Sequence, residues 1–227
     1  MFDINLAGEN AIIIYFGDEV APELAEKIAF YTEFLNDSLG DFIIDIVPSY
    51  TSALITYDLN VVSHQAFCNQ VSEALAKAIF VKQQHQSDVV EIPVYYDPEV
   101  GLDLARLLSE KELSLDEFIR IHSNQTYLVY AIGFSPAFAF LAEVDRRIQM
   151  PRLRTPRIKI PAGSVGIADN QTAVYPIDSS GGWNIVGRTP IDISLTNEKN
   201  LPRFMVGYRV KFKPVSRRKF LALGGRV

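Results

Sequence analysis

The chain has 227 residues, 48% of them apolar and 22% charged, and a formal net charge of −5. That length accommodates one large or two small domains, and the apolar share supplies a full core. No apolar run is long enough to span a bilayer, no secretory pattern opens the chain, and the single Cys68 excludes an internal disulfide, so a cytoplasmic protein is expected. The net charge hides a split: residues 1–90 carry 3 Lys against 13 Asp and Glu, and residues 91–227 carry 19 Lys and Arg against 14 Asp and Glu. The halves are thus net −10 and +5, which points to two domains with different surfaces. The acidic half argues against nucleic-acid binding by the whole chain.

Residues 11–16 form a β-branched run stopped by Gly17, a predicted strand. Pro22 opens a helical pattern to about residue 35, with Leu24, Ile28, Tyr31 and Leu35 on one face. Residues 42–47 and 53–57 read as strands close enough to form a hairpin. Ser63 caps a helix to about residue 80 that spaces Phe67, Val71, Leu75 and Ile79 along one side. Residues 89–94 read as the strand that closes the unit. The order βαββαβ predicts a ferredoxin-like domain over residues 1–95. Short helices follow over 101–111 and 114–122, the second opening on a Ser114/Glu117 capping box. Residues 127–132, 163–168, 172–175, 183–188 and 205–212 are predicted strands separated by Gly/Pro turns, a barrel or sandwich pattern. The fold class expected is α+β.

No P-loop, dinucleotide glycine fingerprint or GxSxG elbow occurs. His64, His85 and His122 are scattered and no CxxC or HxxxH pair exists, so no metal site is expected. A self-contained hydrolase triad is unsupported, and any catalysis would be shared with other chains. Arg146, Arg147, Arg152, Arg154, Arg157 and Lys159 place six cations within fourteen residues. They admit a solvated loop or recognition of a carboxylate, a phosphate or an acidic partner surface. Arg157 is stiffened by Pro156. Arg188, between Gly187 and Pro190 with the Thr189 hydroxyl beside it, reads as a ligand contact or a loop fastener. Gln171 could read an amide or close a turn. Trp183 after two glycines, and Phe134, Phe138 and Phe140, suit either a core or a pocket and interface. His122 sits at a helix C-terminus, where a cation is favoured, and has the chemistry of a general acid or base.

The motifs GFSPAF (133–138), TPR (155–157), PAGSV (161–165), Gln171-Thr172 with Tyr175-Pro176, GGW (181–183) and GRTP (187–190) occur in order. Together they resemble the B-subunit of bacterial 5-oxoprolinase, also called the KipI or allophanate hydrolase subunit 1 family. Weaker similarity runs through VPSY (47–50), 97–108 and 122–130. The resemblance implies a cyclophilin-like β-barrel over residues 96–227. It implies ATP-dependent hydrolysis of 5-oxoproline to glutamate with two partners, one LamB/YcsF-like and one KipA-like (allophanate hydrolase subunit 2). ATP would be held by the complex rather than necessarily by this chain, and no metal is implied. Arg157, Gln171, Arg188 and Thr189 would hold substrate or an anion, with His122 a proton carrier. The alternative it implies is a KipI-like inhibitor of a sensor histidine kinase, using an aromatic groove of Phe134, Phe138 and Trp183. A related domain also occurs in urea carboxylase. The chain departs from the family pattern at Ala137 and near Asp169, where Gly is usual, at Phe140 for Tyr, at Ser180 for Pro and at Tyr208 for Asp.

Overall fold

The computed structural model describes residues 2–80, 89–194 and 204–227. The chain divides into two compact units, Met1–His85 and Gln86–Val227.

In the first unit, β1 (Asp3–Gly8), β2 (Ala11–Tyr15), β3 (Ile43–Pro48) and β4 (Ser52–Tyr57) form an antiparallel sheet ordered β1-β2-β4-β3. Helices α1 (Pro22–Leu39) and α2 (His64–Lys77) supply its apolar cover. Alternation decides the faces: Ile12, Ile14, Ile55 and Tyr57 are fully buried, while Tyr15 and Leu54 are exposed. They pack with Leu35, Phe67, Val71 and Leu75, each such side chain contributing about 1.5–3 kcal/mol on burial. Ser63 caps α2 as expected, accepting from the Ala66 N–H. The helix ends at Lys77, and Ile79 lies beyond it, exposed.

Two features correct the expected βαββαβ order. The strand over 89–94 is β5 (Val90–Val94), and it does not close this sheet; it pairs in parallel with β13 (Arg209–Pro214) of the second unit. The place beside β2 is taken by β1, whose DINLAG sequence lacks the β-branched density that marks a strand. Only Glu9 and Asn10 separate Gly8 from its partner Ala11, so β1 reaches that edge at small loop-closure cost.

The second unit holds a seven-stranded sheet ordered β12-β9-β10-β7-β6-β13-β5. Its other members are β6 (Tyr127–Ile132), β7 (Ala139–Ala142), β9 (Ser164–Ala168), β10 (Gln171–Val174) and β12 (Asn184–Arg188). Its two ends meet: Tyr95 and Arg188 exchange both backbone hydrogen bonds at 2.9 Å, so the sheet nearly closes into a barrel. A Cβ on Gly187 would lie 2.8 Å from the Tyr95 carbonyl oxygen, which is why this seam requires glycine. A separate ribbon pairs β8 (Arg157–Ile160) with β11 (Ser179–Gly181). The core gathers Ile92, Val94, Phe118, Leu141, Val165, Ile167, Val186 and Phe212. Helix α3 (Leu104–Glu110) precedes α4 (Leu115–Asn124), which opens on the expected capping box, and α5 (Arg217–Ala222) follows β13.

Candidate functional site

Arg157 leads β8 and turns toward the segment before α3. Its Nη1 and Nη2 donate to the two carboxylate oxygens of Asp103, each at 2.8 Å. Asp103 is only 4% exposed, and its Oδ2 also accepts the Ile185 N–H at 2.7 Å. Asp103 precedes α3 without capping it through its side chain, because that carboxylate is committed to Arg157 and to β12. Arg106 extends the network, bonding Glu110 at 2.8 Å and the Asn184 side-chain oxygen. Asn184, fully buried, donates to the Pro151 and Ile167 carbonyls at 3.0 Å each. A fork-to-fork pair of this kind fixes the guanidinium plane. Both Nη groups of Arg157 are therefore occupied from within the chain.

Arg188 ends β12 at the barrel seam. Its Nε donates to the Ala162 carbonyl at 2.9 Å and its Nη1 to the Arg226 carbonyl at 2.8 Å. Burial lowers its pKa, and nearby Asp178 works against that shift. The guanidinium thus fastens two backbone segments, while no bond engages its Nη2 among the described residues. Thr189 is buried; its N–H donates to the Gly163 carbonyl at 2.8 Å and its Oγ1 accepts the Ile191 N–H at 3.3 Å. Gln171 opens β10, half-buried, opposite Ala168 and Ala142.

The aromatic residues do come together. Phe138 is buried at the centre of a cluster, with ring centroids 5.2 Å from Phe134, 4.9 Å from Phe140, 5.2 Å from Tyr175 and 5.6 Å from Trp183. Edge-to-face geometry prevails, which suits the ring quadrupoles. Trp183 and Phe138 serve this second core, whereas Phe134 is 64% exposed at its rim. A Cβ on Gly181 would collide with the Tyr175 hydroxyl, so the first glycine of GGW makes room for that ring. Burial pushes the Tyr175 phenol up to about 12, against the pull of Arg152 and Arg157.

His122 faces the barrel core, fully buried, rather than a cleft. Its ring lies between Phe118 and Phe212, near-parallel to both, with centroids 5.8 and 4.7 Å away. Nδ1 is 2.7 Å from the Tyr96 hydroxyl and Nε2 is 3.1 Å from Thr172 Oγ1, which itself donates to the Gly166 carbonyl at 3.0 Å. The protons are ordered by that last acceptor: Thr172 gives its hydrogen to Gly166, Nε2–H donates to Thr172, and Tyr96 donates to Nδ1. Burial lowers the imidazole pKa to about 3, so the ring is neutral at pH 7. In this geometry both ring nitrogens of His122 are engaged inside the core, which gives the residue a structural task.

Asp103, Asn184, Tyr96 and Tyr175 organise these sites, and the sequence analysis assigned a role to none of them. Tyr175 carried a signal through its place in the Tyr175-Pro176 motif, and Asp103 a weaker one through the similarity over 97–108. Among the described residues no group of three or more His, Cys, Asp or Glu is placed to hold a metal ion, and no helix is long and apolar enough to cross a membrane. The departures from the family pattern have visible consequences. Ala137 and Asp169 adopt φ of 67° and 52°, in the left-handed region that favours glycine. Phe140 packs 6.0 Å from Trp183, Tyr208 packs against the main core, and Ser180 is exposed on β11.

The family model for the carboxyltransferase domain, subdomain C and D, matches residues 2–202. The 5-oxoprolinase B-subunit of Bacillus subtilis (strain 168) is 35% identical over 231 residues, covering 97% of this chain and 96% of that protein. The crystal structure of TTHA0988 superimposes with a TM-score of 0.79 at 32% identity, over 91% of this chain and 40% of the other. Kluyveromyces lactis urea carboxylase shares the fold, with a TM-score of 0.73 at 16% identity over 97% of this chain and 22% of that enzyme. The chain belongs to the carboxyltransferase domain, subdomain C and D, family, among the relatives of the 5-oxoprolinase B-subunit.

Proposed function

We propose that this chain is the non-autonomous B-subunit of an ATP-dependent 5-oxoprolinase, which opens the lactam of 5-oxoproline to glutamate together with a KipA-like and a LamB/YcsF-like subunit. The observation that carries this reading is the 35% identity to the Bacillus subtilis protein over nearly the full length of both chains. The geometry supports a shared rather than a self-contained activity. His122 is buried and neutral, and both Nη groups of Arg157 are bound to Asp103. On this reading the second unit is the cyclophilin-like barrel of the family.

A lactam carbonyl is a weak electrophile, and phosphoryl transfer from ATP to its oxygen would activate it. The phosphorylated species then needs donors around its oxygens. Arg188 is the residue of this chain best suited to that task. Two carbonyls hold its guanidinium in place while Nη2 stays uncommitted among the described residues. Thr189 follows Arg188 beside that contact, whereas Gln171, opposite Ala168, would act at the other end of β9 from Ser164, the partner of Arg188; ATP itself would be held by the complex. The test is ATP-dependent glutamate release by this chain mixed with its two companion subunits. Release that stops when this chain is omitted supports the reading, and release that continues without it overturns the reading.

A further inference from the structure

Helix α2 opens at His64 and sets Cys68 one turn further on, so both side chains share a face. The Cys68 Sγ lies 3.4 Å from His64 Nε2, and both residues are half-buried rather than sealed in. On its other side the imidazole is held, because Nδ1 hydrogen-bonds with the Tyr57 hydroxyl. Tyr57 is itself fixed, fully buried in β4 with its ring stacked on Phe67 at 4.3 Å. Its hydroxyl donates to the Glu9 carbonyl at 3.4 Å. A thiol within reach of a base that a third group orients is the arrangement of an activated nucleophile.

The Glu9 acceptor orders the protons along these groups. Tyr57 gives its hydrogen to Glu9, so its oxygen accepts from His64 Nδ1–H, and Nε2 turns its lone pair toward the Cys68 thiol. Proton transfer from Sγ to Nε2 leaves a thiolate beside an imidazolium whose two N–H groups are both satisfied, one by the sulfur and one by Tyr57. Burial acts the other way and pushes the Cys68 thiol up. Burial also pushes the Tyr57 phenol up, and the charge of Cys68 adds to that shift, as expected of groups this close. Without His64, Cys68 would therefore react more slowly than an ordinary thiol, and its chemistry depends on the base.

We propose that Cys68, His64 and Tyr57 form a thiol-oxidation site that takes hydrogen peroxide and converts Cys68 to a sulfenic acid. The Cys68 thiol gives its proton to His64 Nε2, and the sulfur attacks one peroxide oxygen. An S–O bond forms as the O–O bond breaks, sulfur losing two electrons and the peroxide gaining them. The departing hydroxide takes the proton from His64 and leaves as water. Two observations select this oxidant. Half-burial of Cys68 admits a small molecule more readily than a peptide disulfide. Residues 1–90 carry 3 Lys against 13 Asp and Glu, a net −10 that repels anionic disulfides and leaves a neutral peroxide unaffected. Cys68 is the one cysteine of this chain, so a second molecule supplies the thiol that reverses the step. The oxidised side chain sits at the margin of the first unit's core, against which Cys68 packs. Nothing in this site depends on the subunit reading above.

The test treats the full chain with hydrogen peroxide at pH 7, traps the sulfenic acid with dimedone and follows the adduct by mass spectrometry. With one cysteine present, Cys68→Ser gives the blank. The expected result is faster capture in the folded wild type than in the same chain unfolded in guanidinium chloride. His64→Gln should slow capture in the folded protein at least about tenfold. Tyr57→Phe, which keeps the buried ring and removes the hydroxyl, should slow it by a smaller factor. Thermal melts check that the variants are folded, and Tyr57→Phe carries the test where His64→Gln is not. Capture in the folded wild type no faster than in the unfolded chain, or unchanged in the folded variants, overturns the proposal. A mixed disulfide from glutathione disulfide that forms faster than the sulfenic acid overturns the choice of peroxide.

Discussion

Arg157 and Asp103 face each other fork to fork, 2.8 Å apart at both contacts, and join the β8–β11 ribbon to the segment that supports β12. Asp103 has almost no contact with water, so its charge depends on that guanidinium and on the Ile185 N–H. Removing one member of such a pair leaves the other uncompensated. Arg157→Ala should therefore lose about 3 kcal/mol of unfolding free energy in urea titration. Asp103→Ala should lose a similar amount, and the double variant should lose less than the sum. Losses that add fully would mean the pair is not coupled.

The neutral state of His122 ties stability to pH. The folded protein holds the imidazole unprotonated down to about 3, while the unfolded chain protonates it near its ordinary value of 6.5. Between those values the unfolded state binds more protons, so this contribution is complete above about 6.5 and lost progressively as pH falls toward 3. His122→Gln should cost about 2 kcal/mol at pH 7, because Tyr96 and Thr172 lose well-placed partners. It should also flatten the acid slope of the urea midpoint relative to wild type. An identical slope in both proteins would place the titration elsewhere.

Ala137 occupies a backbone conformation that costs a side-chain-bearing residue about 1–2 kcal/mol. Ala137→Gly should raise the unfolding free energy by about 0.5–1 kcal/mol after the greater freedom of unfolded glycine is set against that relief. The check is a rise in melting temperature; a fall would show that the loop does not strain at this position.

Gly187 sits where Tyr95 and Arg188 close the barrel. A methyl group there meets the Tyr95 carbonyl at 2.8 Å and Val94 Cγ1 at 2.9 Å. Gly187→Ala should destabilise the protein by about 1–3 kcal/mol. Hydrogen exchange should quicken first at the Tyr95 and Arg188 amides, which form the seam.

Much of the second unit was legible because its strands are apolar runs cut by Gly and Pro. The observed β6 spans Tyr127–Ile132 as expected, and β9, β10 and β12 fall within a residue or two of their predicted bounds. The strands that escaped are the four-residue β7, cut from β6 by the Gly/Pro-bearing 133–138 loop, and the short, polar β8 and β11, which pair with each other in a two-stranded sheet across 18 intervening residues. β5 was found as a strand and given the wrong sheet, since an apolar pattern of five residues specifies a buried strand without naming its neighbour. The site was read less well. The Arg157 motif was visible, but its pairing with Asp103, 54 positions away, was not. The motifs GGW and GRTP were visible, but not that Gly181 accommodates Tyr175 and Gly187 the barrel seam. His122 was read as a helix-end cation or as a general acid or base, and neither reading could register the Phe118 and Phe212 rings stacked against it.

The most direct test of the proposed role follows glutamate and ADP together. The three-subunit mixture is given 5-oxoproline and ATP, and each component is then left out in turn. The account expects both products in the complete mixture and neither 5-oxoproline-dependent ADP nor glutamate without this chain. Equal turnover with and without it, or an inactive mixture that the B-subunit of another 5-oxoprolinase restores, would contradict the account.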